Sequence, residues 1–212
     1  MPALDAPAFL AHYLTVLQHH GSPTPRVLAP LVDAVALDRL AALPGVSPPP
    51  ALLAYFRAVD GTDPDACDAL GLFEPHLAWR MTALSLAEAL QTHHDLASHE
   101  DDENPDYWPR GFIPLLADGA GSYLVVNAIA GSPTWGAVYD MGQGVGCNRL
   151  AHSLPAFFDA SARQIEAGLL RFEGGASRPA VEPREYVRRT AELFGHPPCF
   201  ASPGSQIVDW TP

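Results

Sequence analysis

An α+β fold with a mainly antiparallel sheet of about four to six strands flanked by helices is what this sequence predicts, on three observations. Helical periodicity dominates the first part of the chain, short β-compatible runs crowd its middle, and helical periodicity returns after Ser153. With 212 residues, 48% of them apolar, the chain is long enough to bury a substantial core.

Phe9, Leu10, Tyr13, Val16 and Leu17 recur at spacings of three and four, the apolar stripe of a helix over residues 5–19 that Gly21, Pro23 and Pro25 end. A second helix is expected from Val27 to Leu43, with Leu28, Leu31, Val32, Val35, Leu40 and Leu43 on its buried side. The prolines of Pro44–Pro50 break that helix and open a third, because a first-turn proline has no N–H bond to lose. Its apolar face is Leu52, Leu53, Tyr55, Phe56 and Val59, and Asp60-Gly61 closes it. GTDPDACDALG reads as a loop, and Leu77–Met81 as a short strand. SLAEALQTHH then reads as a helix with Ser85 as N-cap and Glu88 three residues on, as a capping box requires.

The connector 99–106, HEDDENPD, carries five acidic side chains, and beyond it the periodicity changes. Phe112–Leu116 and Tyr123–Val126 are strand-like runs separated by DGAG. Glycine supplies positive φ there and Asp118 can bond the backbone beyond it, so DGAG is expected to be a hairpin loop. Trp135–Tyr139 and Val145–Leu150 supply two further strands. Ser153 caps a helix with Pro155 in its first turn, a Gly/Pro-rich stretch follows, and a last helix covers Pro183–Phe194. The expected organisation is an N-terminal helical extension (1–42), an α+β domain (43–172), and a C-terminal helix and tail packing on it (173–212).

Charge narrows the function classes. The chain has 24 carboxylates against 12 basic groups, all arginine, for a net charge of −12. Nucleic-acid backbones and anionic membranes would be repelled, so neither is expected as a partner, whereas a basic protein is favoured. Cys67, Cys147 and Cys199 are odd in number, far apart and without a C-x-x-C pair, which argues against disulfides or a thiolate zinc site and for a reducing cytoplasm. The N-terminus has no basic region and carries Asp5 and His12, so a secretory signal is not expected. No uninterrupted apolar run approaches the ~20 residues of a membrane helix.

Catalytic and metal motifs fare poorly. His93, His94, His99 and the connector carboxylates are the densest group of metal-ligating types. HEDDE, however, has Glu103 where a helical zinc motif needs its second histidine. DDENPD lacks the glycine and terminal glutamate of a calcium loop, so a solvated acidic loop is the expectation. In GQGVG, residues 142–146, the third glycine of a dinucleotide fingerprint falls on Cys147, and no strand-turn-helix unit surrounds it. No serine sits in G-x-S-x-G, and Cys147 and His152 are near only in sequence. No cofactor and no resident metal are expected.

A set of ordered motifs resembles the SUKH superfamily, which joins bacterial immunity proteins with fungal cell-wall-synthesis regulators. Its residues here are Leu43, Pro44, Pro50, Leu53 and Phe56 in a leading helix, then Trp108. Ile113, Pro114, Asp118, Gly119, Gly121, Tyr123 and Leu124 follow in a hairpin, then Gly136 and Val138, and finally Ser153, Leu154, Phe157 and Phe158. The similarity spans roughly residues 40–170 and leaves the two ends outside. It implies a non-enzymatic α+β binding domain, in bacteria typically an immunity protein that neutralises a toxin, often a nuclease. A scaffold or regulatory adaptor shares the fold, and a small hydrolase or metal-binding protein is a third class.

Carboxylates steer a basic partner and aromatics supply binding energy, so the expected binding face is Asp101, Asp102, Glu103, Asp106, Tyr107 and Asp118. Trp108 is expected beneath the sheet, and Trp79, Trp135 and Trp210 as core or tail-docking residues. The sequence leaves the oligomeric state open.

Overall fold

The computed structural model describes residues 6–30, 35–98, 108–142 and 146–195. Five helices lie in the first half: α1 (Ala8–His19), α2 (Val35–Ala41), α3 (Pro50–Ala58), α4 (Pro64–Leu70) and α5 (Leu86–Ala97). The strands β1 (His76–Ala78) and β2 (Met81–Ala83) precede α5, and β3 (Phe112–Ala117), β4 (Ser122–Asn127), β5 (Val138–Gly142) and β6 (Gly146–Ala151) follow it. Helix α6 (Leu154–Glu166), the strands β7 (Leu170–Glu173) and β8 (Ala176–Pro179), and α7 (Pro183–Phe194) complete the fold. Strands β1 to β6 form one antiparallel meander in sequence order, and β7–β8 is a separate two-stranded ribbon, so the fold is α+β as expected.

Alternation along the strands divides the sheet's two faces. Ile113, Leu124, Val126, Val138 and Leu150 point into the larger core, which α1, α3 and α6 cover. Phe158 of α6 is its centre, with the rings of Phe9, Tyr13 and Tyr55 at centroid distances of 5.9, 5.1 and 6.0 Å. The N-terminal helix is thus built into the main core through α6. The opposite face carries a smaller cluster of Trp108, Phe112, Val125 and Tyr139. Trp108 is buried there as expected, its Nε1 donating to the Phe112 carbonyl at 3.1 Å.

Several local expectations need correction. The second helix does not begin at Val27. A 3-10 turn at Thr24–Arg26 is followed by Leu28, which forms a β-bridge to Thr62, and Ala29 exchanges backbone bonds with Asp60 and Gly61. Pro30 explains this, since the residue before a proline is pushed out of the helical region. Val35, placed on the buried side, is 59% exposed. GTDPDACDALG is not a loop: it holds α4, because Asp63 accepts from the amides of Asp65 and Ala66, Pro64 fits the first turn, and Gly71 ends the helix at φ +62°.

The single strand at 77–81 is a hairpin whose two loop residues, Trp79 and Arg80, have φ of +54° and +62°. Nothing glycine-like announces that turn. Tertiary contacts hold it instead: the Trp79 ring meets Phe194 at 4.6 Å, and its Nε1 donates to buried Asp140 at 2.9 Å. The Gly/Pro-rich stretch after α6 contains β7 and β8. Trp135 is 42% exposed rather than core, with its Nε1 donating to the Ser47 carbonyl. Trp210 lies outside the described residues.

Candidate functional site: an acidic groove

The groove lies between two helix starts and a strand pair. Asp60-Gly61-Thr62 leads into α4, Leu72–Pro75 leads out of it, and Thr82–Ser85 connects β2 to α5. Together these enclose about 520 Å³. Asp60, Asp68, Glu74 and Glu88 contribute four carboxylates to the lining, and no arginine or histidine joins them among the described residues. Phe73 stands at the rim, 84% exposed.

Two of these acids are explained by local structure. Asp60 Oδ1 accepts from the Leu86 amide at 2.7 Å, satisfying an orphan donor at the start of α5. Glu88 closes the capping box: its Oε2 accepts from the Ser85 amide at 2.8 Å, while Ser85 Oγ accepts from the Glu88 amide at 3.2 Å. Both carboxylates also favour the positive end of a helix dipole. Asp68 and Glu74 have no such task. Both are exposed, and neither forms an ion pair among the described residues, whereas Glu173, Glu185, Glu192 and Asp159 all pair with arginines.

Glu74 itself sits at φ +50° in the short turn between the α4 C-cap Gly71 and Pro75. The turn therefore projects a phenylalanine and a carboxylate side by side into solvent. Exposing a phenylalanine forgoes roughly 1.5–3 kcal/mol of burial, so Phe73 is a strong candidate for a side chain that becomes buried on binding.

Of the predicted binding face, Asp118 is described and adjoins this groove. Its Oδ1 accepts from the amides of Ala120 and Ser122 at 2.8 and 2.9 Å, with Gly119 and Gly121 at φ +72° and +95°. DGAG is thus a hairpin loop, pinned by its own aspartate. The loop also extends the acidic rim: β2 pairs with β3 through Thr82 and Ala117, and a Cβ on Gly119 would lie 3.7 Å from Glu74 Oε1. Asp101, Asp102, Glu103, Asp106 and Tyr107 lie outside the described residues. Phe73, Asp68 and Glu74 were missed by sequence reasoning, although an aromatic between a helix-ending glycine and a proline, in Gly71-Leu72-Phe73-Glu74-Pro75, is a legible signal of an apolar side chain at a turn tip.

The remaining candidate chemistry is dispersed. His93 is buried on α5 and its Nε2 donates to the Arg110 carbonyl at 2.6 Å, so it serves the fold. His94 is exposed and His99 lies outside the described residues. No group of three metal-ligating side chains converges among the described residues. A second hollow of about 410 Å³, between β6, α6 and the end of α7, is lined by Arg149, His152 and Arg163 with Leu193 and Phe194. Its charge is opposite to that of the groove.

No protein-family model matches the chain, and no curated protein is similar to it. Among the described residues, no helix is long and apolar enough to cross a membrane.

Proposed function

We propose that the chain is a non-enzymatic binding protein that receives a basic protein partner on the acidic groove, and that it acts as a cytoplasmic immunity protein neutralising a bacterial toxin. The observation that carries the binding reading is the pairing of Phe73, 84% exposed, with a groove whose charged lining is four carboxylates. An aromatic anchor inside a field of one sign suits a partner with an apolar pocket ringed by arginine or lysine. A nuclease presents such a surface where it contacts phosphates, which makes steric and electrostatic occlusion a direct route to neutralisation. The toxin-immunity role rests on the resemblance of the ordered motifs from Leu43 to Phe158 to the SUKH superfamily.

Affinity capture from the native host's lysate tests this, with the wild-type chain and a D68R/F73A/E74R variant as parallel baits. These three side chains take no part in caps or core, so the variant keeps its fold. The expected result is one basic polypeptide with a toxin-like domain, retained by the wild type and lost by the variant. Equal retention by both removes the groove. Housekeeping proteins alone would favour a scaffold or adaptor. A third bait with Asp101, Asp102, Glu103 and Asp106 reversed in charge reports whether the acidic connector adds to the face.

A further inference from the structure

Strand β1 is the outer edge of the six-stranded meander, and an uncovered edge is a template for unwanted pairing. Three devices cover it here. Tyr13 Oη donates to the Leu77 carbonyl at 2.6 Å, Thr24 Oγ1 donates to the His76 carbonyl at 2.8 Å, and the β7–β8 ribbon docks alongside. The ribbon is tied at His76. The His76 amide donates to the Gly175 carbonyl at 2.9 Å, and the Ser177 amide donates to His76 Nδ1 at 3.0 Å, with Ser177 Oγ 3.1 Å from the same nitrogen.

A backbone amide can only donate, so this geometry requires Nδ1 to be unprotonated. Adding a proton to Nδ1 sets two N–H groups against each other. Ser177 Oγ can then accept the new proton, but the Ser177 amide loses its acceptor, and Ser177 is only 5% exposed. Behind the tie, a Cβ on Gly175 would lie 3.4 Å from Leu72 and Pro75, so the ribbon's turn packs directly against the loop that presents Phe73 and Glu74.

We propose that His76 is a proton-sensitive latch: with Nδ1 unprotonated it holds the β7–β8 ribbon on the edge of β1, and its protonation releases the ribbon and loosens the Leu72–Pro75 loop. The charged groups around it act as follows. Burial and the Arg80 guanidinium, with a smaller contribution from Arg178 of β8, hold the imidazole below the ordinary histidine value, while the Ser177 backbone and then Glu74 act in the opposite direction. Arg178 itself pairs across the ribbon with Glu173, which also pairs with Arg171 on its own strand, at 3.3 Å in each case. The latch stands whether or not the groove binds a partner.

Amide hydrogen exchange read by NMR tests the latch on the whole chain, with rates corrected for the intrinsic effect of pH. Protection of the Ser177 amide is expected to fall by up to about tenfold per pH unit between the titration of the released ring and the lower titration of the latched ring, as one linked proton requires. Amides of the central sheet, such as Val125 and Tyr139, should keep theirs. In His76→Asn, whose side-chain oxygen accepts at any pH, the loss at Ser177 should vanish. Two results overturn the proposal: Ser177 protection that follows the central sheet, or the same loss in the variant. Should the variant not fold, ¹⁵N shifts of the wild-type ring decide instead, since Nδ1 protonation and the Ser177 amide shift must then titrate together.

Discussion

Single side chains show where the core is complete and where it is not. Tyr55 is fully buried against Phe56 and Phe158, yet its hydroxyl meets no hydrogen-bond partner among the described residues. A buried hydroxyl without a partner costs free energy, so Tyr55→Phe should leave stability unchanged or raise it by up to about 1 kcal/mol. Chemical denaturation reads this, and a loss above that size would show that the hydroxyl is satisfied after all. Tyr13 makes the contrast, since its hydroxyl closes the β1 edge. Both tyrosines were legible as core from helical spacing. The division of labour between them was not, because it depends on which strand end lies within reach of each ring.

Helix starts capped by serine were legible, because such caps are local, whereas the start of α2 and the Asp63-capped start of α4 were not. Ser85, Glu88 and Ser153 act as their sequence positions predict. Ser85→Ala should cost about 1 kcal/mol, the usual value of a lost N-cap, and thermal unfolding monitored by circular dichroism checks it. An unchanged midpoint would mean that Asp60, which already serves the Leu86 amide, suffices for this helix end. Tight turns held by tertiary contacts were the least legible. The Trp79-Arg80 turn has positive φ without glycine, and β7–β8 hides in a stretch whose Gly/Pro content reads as loop. In both cases the stabilising partner is distant in sequence: Asp140 and Phe194 for the turn, His76 for the ribbon. The same limit applies to the candidate site, where Asp118 was legible from its turn motif and Phe73, Asp68 and Glu74 came together only through α4.

For the molecule as a whole, pH and charge are the levers. Burial holds both His76 and His93 below the ordinary histidine value. The unfolded chain therefore binds protons at these sites before the folded chain does, so stability rises with pH across that interval and levels off above it. Denaturant midpoints should fall between pH 7.5 and 5.5, and a His76→Asn/His93→Gln variant should flatten the dependence. A profile as steep as the wild type's would place the linkage on other groups. Binding at the acidic groove is measured by titration calorimetry of the captured basic partner against the wild type and the D68R/F73A/E74R variant. The variant should bind at least about tenfold more weakly, as the loss of an aromatic anchor alone would cause, and wild-type affinity should fall with added salt. Equal affinity for both chains, insensitive to salt, would contradict binding at the groove.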